Sequence, residues 1–287
     1  MNPIHPKLAR RRGGYTLIEL LVVIAIIAIL AGLLLGGVMY LLRRAPEVVM
    51  RNDISQLNVG MQRFKAKYGF YPPNFIRLRA NMQEYTASPA DQHSVRWIGR
   101  MWPNLPGKAT NIPWAGATGM ASGTYLDLDS DQCLVFFLGG PPVGGGAPGL
   151  LGGFSNNPLD PAGPTTNPRE RYFDFDAGRL INRGGSPFLS FVDPFDKQQP
   201  YIYFGSQNAS MGSNGYDSGP NGLGVKPYMS KASPKAFHMP DSFQIICAGP
   251  DGQFGPGGLW TSIADSSTPP AGQEDYSNFH DKKMGIP

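Results

Sequence analysis

An uncharged apolar segment near the N-terminus constrains this chain more than any other feature. No residue from Leu20 to Leu42 is charged, and about 20 helical residues, at ~1.5 Å each, cross the ~30 Å hydrocarbon core of a bilayer. The segment therefore predicts a membrane-spanning helix. Glu19 immediately precedes it, and a carboxylate at the edge of a spanning helix is costly enough to indicate a specific contact with a partner.

The residues before the segment supply a partner if the chain is cut after Gly14. Tyr15 would then carry a new α-amino group, and Glu19 would lie one helical turn further on, at i+4. A buried amine and a buried carboxylate can neutralise each other, either within one chain or between neighbouring chains. Pairing between chains would set the axial register of a stack of helices.

This N-terminus resembles that of type IV prepilins and pseudopilins over residues 7 to about 42: a short basic leader, Gly13-Gly14, Tyr15-Thr16-Leu17-Ile18-Glu19-Leu20 and an apolar helix. The resemblance implies cleavage between Gly14 and Tyr15 by a prepilin peptidase, N-methylation of Tyr15, and a role for Glu19 in filament assembly. An uncleaved signal anchor is an alternative, but it needs neither the junction nor Glu19. A secretory signal peptide would have a shorter apolar core and a small-x-small cleavage site.

The basic residues are concentrated in the leader. Of 25 Lys and Arg residues, four precede residue 15, which leaves 21 against 21 acidic residues. A neutral mature chain gives no support to nucleic-acid binding. By the positive-inside rule the leader stays in the cytoplasm, although Arg43 and Arg44 lie on the far side. We therefore expect a single-pass inner-membrane protein with its C-terminal part in the periplasm.

Beyond the span the helix is predicted to continue. One apolar stripe recurs at spacings of 3 and 4: Ile54, Leu57, Met61, Phe64 and Tyr68. Gly36, Gly37 and Pro46 are expected to weaken the helix, and Gly69 with Pro72-Pro73 ends it. The predicted organisation is a leader at 1–14, a transmembrane and assembly half at 15–42, an amphipathic half at 43–68 and an exported head at 69–287.

The head shows only a few clear elements. Residues 75–126 predict an irregular insertion, residues 139–168 a loop, and residues 205–235 a polar, glycine-rich loop. Strands are predicted over Tyr201–Phe204 and Phe243–Ala248. The predicted fold class is α+β and pilin-like, a long N-terminal helix packed on a small antiparallel sheet with long loop insertions.

Two local motifs are rejected on their spacing. The acids at 127, 129 and 131 do not form an EF-hand, because Gln132 and Leu138 replace its glycine and glutamate; they instead predict the N-terminal cap of a short buried helix. The glycine pattern at 144–149 matches a dinucleotide fingerprint, but no helix-forming sequence follows it.

The later part of the head resembles the major pseudopilin of type II secretion. The pieces that carry the likeness are Tyr68 to Pro73, Asp193-Pro194-Phe195, Pro200-Tyr201-Ile202-Tyr203, Gly249 to Gly255 and Glu274 to Phe279. The resemblance implies calcium bound by Asp251, Asp275 and backbone carbonyls. The stretch from Pro256 to Gln273 is longer than the family pattern, so a Pro-Asp-Gly turn closed by its own side chain remains the alternative.

No catalytic or zinc-binding motif occurs in the sequence. The four histidines lack H-E-x-x-H or Cys/His spacing, and there is no G-x-S-x-G or Walker A pattern. Cys133 and Cys247 suit either an exported disulfide or two buried thiols.

The sequence thus predicts a non-enzymatic subunit of a type II secretion pseudopilus. Its expected partners are a prepilin peptidase, other pseudopilin subunits and the inner-membrane secretion platform, with calcium as the cofactor and no nucleic acid. A type IV pilin or minor pilin in adhesion, motility or DNA uptake is the alternative, followed by a membrane-anchored enzyme or binding module.

Overall fold

The computed structural model describes residues 15–105, 112, 114, 120–143, 151–163, 169–183, 186–207, 215–216, 223–261 and 272–285; for residues 35–43 it describes the backbone alone. The chain divides into two compact units, Met1–Val48 and Val49–Pro287. The predicted boundaries at residues 14, 42 and 68 stay predictions.

The predicted long helix is present as α1, Leu17–Tyr68, which is helical through Pro46. In the second unit, four members of its predicted stripe are buried: Ile54, Leu57, Met61 and Phe64. The helix ends where Gly69 adopts a φ of 81° and its N–H donates to the carbonyl of Lys65. This left-handed residue closes the helix as the sequence predicted.

In the described residues of the second unit, two further α-helices, two 3-10 turns and thirteen short strands follow α1. The helices are α2, Pro89–Met101, and α3, Ser130–Gly139. The strands in chain order are β1 Ile76–Arg79, β2 Tyr125–Leu128, β3 Phe154–Ser155, β4 Arg169–Glu170, β5 Leu180–Asn182, β6 Leu189–Phe191, β7 Ile202–Gln207, β8 Gly215–Tyr216, β9 Tyr228–Lys231, β10 Ala236–Phe237, β11 Phe243–Cys247, β12 Gly258–Leu259 and β13 Tyr276–Ser277.

Among the strands that the structure describes, the largest sheet is antiparallel and four-stranded, with the order β13-β11-β7-β8. A three-stranded sheet has the order β10-β9-β12, and the pairs β1-β2, β3-β4 and β5-β6 complete the described strands. This arrangement confirms the α+β, pilin-like fold class.

Both faces of the four-stranded sheet are buried. Tyr203 and Ile245, paired across β7 and β11, belong to the main core, which also contains the buried stripe of α1. Their neighbours Ile202 and Ile246 face a second core that includes Tyr228. Strand alternation thus places one layer of the head on each face.

All three predicted irregular stretches are partly wrong: the predicted loop at 139–168, for example, contains the end of α3 and strand β3. Residues 75–126 contain β1, α2 and β2, and α2 begins with Ser88 as N-cap and Pro89 at its first turn. Ser and Pro are common at these positions of a helix start, so the sequence alone could have indicated α2. The predicted loop at 205–235 holds the end of β7, together with β8 and β9. The predicted capped helix after the acids is present as α3, with Asp129 as its N-cap.

Candidate assembly segment and candidate calcium site

The helix start at Thr16 is a closed hydrogen-bonded unit. Glu19 Oε2 accepts from the backbone N–H of Thr16 at 2.8 Å and from its hydroxyl at 2.9 Å, and the N–H of Glu19 donates to Thr16 Oγ1 at 3.3 Å. The sequence Thr-x-x-Glu at a helix start is a capping box, in which each side chain serves the other residue's backbone. The pattern was readable from the sequence and was missed.

This geometry gives Glu19 an intrachain partner that the sequence analysis did not foresee. In the described structure its carboxylate accepts from two donors of Thr16, the second residue after the predicted cleavage point. Gly14 lies outside the described residues, so the structure describes only the Tyr15 side of that junction. A free amine on Tyr15 would lie one residue from Thr16, whose N–H and hydroxyl already donate to Glu19.

Apart from Glu19, the first part of α1 offers an apolar surface. Leu17–Leu34 is long and apolar enough to cross a membrane, with a mean hydropathy of 3.1, and none of it is buried within the structure. An apolar helix surface of this extent requires lipid or other helices around it. Glu19 is the one charged group in that segment, so it is the one group there that can give an apolar contact a fixed register.

The predicted calcium residues lie on the loop after β11 and directly before β13. The loop after β11 turns at Gly249 and Gly252, whose φ angles are 72° and 64°. Within this loop Asp251 Oδ1 accepts from the N–H of Gln253 at 3.0 Å, and its carbonyl accepts from Lys197 Nζ at 2.5 Å. Asp251 therefore closes its own turn, which is the alternative that the sequence left open.

Asp275 is buried directly before β13 and keeps one oxygen unused. Its Oδ2 accepts from the Tyr228 hydroxyl at 2.8 Å and from the N–H of Gly255 at 3.0 Å. Its Oδ1 is buried and has no hydrogen-bond partner. Burial, with a smaller contribution from the charge of Asp251, raises the pKa of Asp275 to about 7. The two acids are therefore close enough to interact electrostatically.

These residues fit a hard cation in part. Calcium takes six to eight oxygen ligands, and the unpartnered Asp275 Oδ1 is one such oxygen. Within the described ranges, however, no three His, Cys, Asp or Glu side chains cluster as a metal site would require. Backbone carbonyls would have to supply most of the remaining ligands.

The two cysteines are buried free thiols. Cys247 Sγ lies 3.6 Å from Asp193 Oδ2, and burial raises the pKa of both groups, that of Asp193 to about 6. Of the two possibilities that the sequence allowed, the structure contains the unpaired one. Both thiols lie inside the core, where a thiol behaves as a small apolar group.

Comparison with known proteins agrees with the N-terminal geometry. Residues 9–35 match the family model of the prokaryotic N-terminal methylation motif. No curated protein and no solved structure matches the chain significantly. The motif implies processing by a prepilin peptidase and assembly with other pilin-like subunits, and it marks a class of structural proteins. The chain therefore carries, at its N-terminus, the signature of type IV pilin-like and pseudopilin proteins.

Proposed function

We propose that the protein is a structural subunit of a type II secretion pseudopilus. A prepilin peptidase cuts between Gly14 and Tyr15, Tyr15 is N-methylated, and the mature subunit packs with its neighbours through residues 15–42. The observation that carries the proposal is the matched motif at residues 9–35. It is supported by the exposed apolar segment Leu17–Leu34, whose one charged residue is Glu19. The head lies in the periplasm, and the inner-membrane platform receives the subunit.

The capping box suggests how Glu19 serves both the free and the assembled subunit. Before assembly Glu19 satisfies Thr16 donors that would otherwise face hydrocarbon, where an unmet backbone group costs several kcal/mol. On assembly the methylated amine of a neighbouring Tyr15 competes for the same carboxylate. The Glu19 carboxylate thus has a hydrogen-bond donor both before and after assembly.

The choice of a pseudopilus over a surface pilin rests on the head. Three of the segments that resemble a major pseudopilin lie in one sheet or directly beside it: Pro200–Tyr203 leads into β7, Gly249–Gly255 follows β11, and Glu274–Phe279 contains β13, with β11 paired to both other strands. A type IV pilin would share the N-terminus but need not carry the Pro-Asp-Gly loop.

A deletion strain tests the function. We expect loss of folded exoproteins from the medium without loss of a surface filament, and rescue by the wild-type gene. Glu19→Ala should fail to rescue, whereas Gln56→Ala, an exposed change elsewhere on α1, should rescue fully. Normal secretion with loss of surface filaments would instead assign a type IV pilin.

We further propose that calcium binds at Asp275 with the carbonyls of the loop at 249–257, assisted by Asp251. The unpartnered Asp275 Oδ1 supports this assignment. Calcium at a hundredfold excess over its dissociation constant stabilises a fold by about 2.7 kcal/mol, which is about 5–10 °C in melting temperature for a chain of this size.

Melting curves with calcium and with magnesium test this proposal. Asp275→Asn preserves shape and should abolish the calcium-dependent rise, while Asp174→Asn, a change at an exposed side chain, should leave it intact. An equal rise in both variants would exclude Asp275 as a ligand.

A further inference from the structure

One face of the three-stranded sheet combines two lysines with exposed apolar side chains. Met229 and Lys231 are two residues apart on β9 and therefore point to the same side. Leu259 of β12 pairs with Met229 and is 56% exposed. Lys235 extends from the turn between β9 and β10 over the ring of Phe237, 4.8 Å from its centroid. We call Met229, Lys231, Lys235 and Leu259 the basic strip.

The basic strip carries positive charge without an acid nearby in the sequence. The chain has no Asp or Glu from residue 218 to residue 240. Among the residues that the structure describes, neither lysine of the strip forms an ion pair. Protein interfaces combine apolar contact at their centre with polar groups at their rim. The strip therefore fits a partner that presents acids beside an apolar side chain.

The same chain presents such a surface at residues 174–176, which we call the acidic turn. Asp174 and Asp176 are exposed on either side of Phe175, which is half-buried against the main core. Asp174 lies 3.3 Å from Arg171, but their side chains are 86% and 52% exposed, and ion pairs this exposed are weak. Asp176 Oδ1 accepts from the N–H of Gly178 at 2.9 Å. The turn thus offers two carboxylates to a partner.

The basic strip and the acidic turn lie on opposite faces of the four-stranded sheet. Phe175 of the turn packs against Phe191 in the main core, with ring centroids 5.1 Å apart. Phe237, beneath Lys235, belongs to the second core and packs against Tyr216 at 5.2 Å. Because the sheet and its two cores separate them, the two surfaces cannot meet within one chain. A contact between two different surfaces leaves one of each free, so it can continue from copy to copy into a filament.

We propose that the basic strip of one subunit binds the acidic turn of a second copy of this chain in the filament. The two lysines pair with Asp174 and Asp176, and Leu259 covers the exposed part of Phe175. The inference rests on the proposed function, because the assembly segment must first bring copies together. It adds the two surfaces of the head through which neighbouring copies touch.

Disulfide cross-linking of the full chain in filaments isolated from cells tests the contact. Lys235→Cys/Asp174→Cys places one thiol on each surface, while Cys133 and Cys247 stay buried. Oxidation with copper–phenanthroline should then give a ladder of covalent multimers in denaturing electrophoresis. Either single variant should give no covalent dimer, because neighbouring copies present different surfaces to each other. The matched control Lys235→Cys/Asp196→Cys uses an exposed acid outside the turn and should give no ladder.

Charge reversal tests the pairing independently. Lys231→Glu/Lys235→Glu should lower the yield of filaments about tenfold, because two attractions become repulsions. Asp174→Lys/Asp176→Lys should do the same. All four reversals in one chain restore complementary charges and should recover most of the filaments. Arg96→Glu reverses an exposed cation of α2 outside the strip and should leave the yield unchanged, and melting curves establish that each variant is folded.

The outcomes separate this inference from the proposed function. Filaments that form without the ladder would overturn the head contact and leave the proposed function intact, whereas a wild-type chain that forms no filaments would overturn both. A covalent dimer from either single variant would overturn the contact as well, because it would show that like surfaces meet. Loss of filaments in a folded variant with all four reversals would contradict the charge pairing.

Discussion

The buried ion pair between α1 and the strand region offers the sharpest test of how the head holds its part of that helix. Asp53 Oδ2 accepts from Arg179 Nη2 at 2.6 Å and from the Tyr201 hydroxyl at 2.8 Å. The side chains of Asp53 and Arg179 are 11% and 16% exposed. Arg179 also lies over the ring of Phe191, 4.4 Å from its centroid.

Asp53→Ala should lower the free energy of unfolding by about 3–5 kcal/mol, because it leaves the buried Arg179 charge without its counter-ion and the Tyr201 hydroxyl without its acceptor. Asp53→Ala/Arg179→Met removes the stranded charge and should recover about 1–2 kcal/mol of that loss. Denaturant unfolding of the full chain in detergent, followed by tryptophan fluorescence, measures both values.

Asn52→Ala, an exposed change on the neighbouring residue, is the control and should cost less than about 0.5 kcal/mol. An Asp53→Ala loss as small as that of the control would show that the pair does not hold the helix. A double variant less stable than either single variant would contradict the stranded-charge explanation.

Three further changes test other parts of the structure. Gly60→Val should lower the free energy of unfolding by about 1–3 kcal/mol, because even a Cβ at Gly60 would lie 3.0 Å from the Tyr172 carbonyl; a stabilising effect in denaturant unfolding would show that this contact yields. Burial raises the pKa of Asp193 from its usual 3.8 to about 6, so the folded state binds a proton at this carboxylate more tightly than the unfolded state does. The stabilisation from that proton is fully present below about pH 4, and the free energy of unfolding should fall by up to about 3 kcal/mol as the pH rises towards about 6. Asp193→Asn should flatten this pH profile, and an unchanged slope would assign it elsewhere. Thr16→Val should reduce filament assembly by removing a hydroxyl that both donates to and accepts from Glu19, and normal cross-linking between subunits would contradict that role.

The long N-terminal helix α1 was predictable because its sequence signals are local and repeated. An uncharged run specifies a span whatever follows it, and the stripe from Ile54 to Phe64 specifies a buried face by its period. The glycine and prolines after Tyr68 likewise fix the end of α1 without any tertiary information. Thr16 and Glu19 could have been recognised as a capping box from spacing alone.

The head was less predictable because its elements are short and their partners are distant in sequence. Strand β13 has two residues and exists through its pairing with β11, and the ion pair of Asp53 with Arg179 joins residues 126 positions apart. Such sites depend on tertiary contacts that local propensity does not encode.

The calcium residues show the same limit at a single site. The resemblance selected Asp251 and Asp275, but only the structure shows that Asp251 closes its own turn while Asp275 keeps an unpartnered oxygen. A loop sequence specifies which oxygens are present, whereas the fold decides which of them are already used.

The central claim, that the chain is a processed and assembled pilin-like subunit, is tested most directly by the N-terminal residue and intact mass of the protein recovered from membranes. The account predicts a chain that begins at N-methylated Tyr15 and lacks residues 1–14. A chain that still begins at Met1 would contradict it and would leave a membrane-anchored protein without a role for Glu19 in assembly.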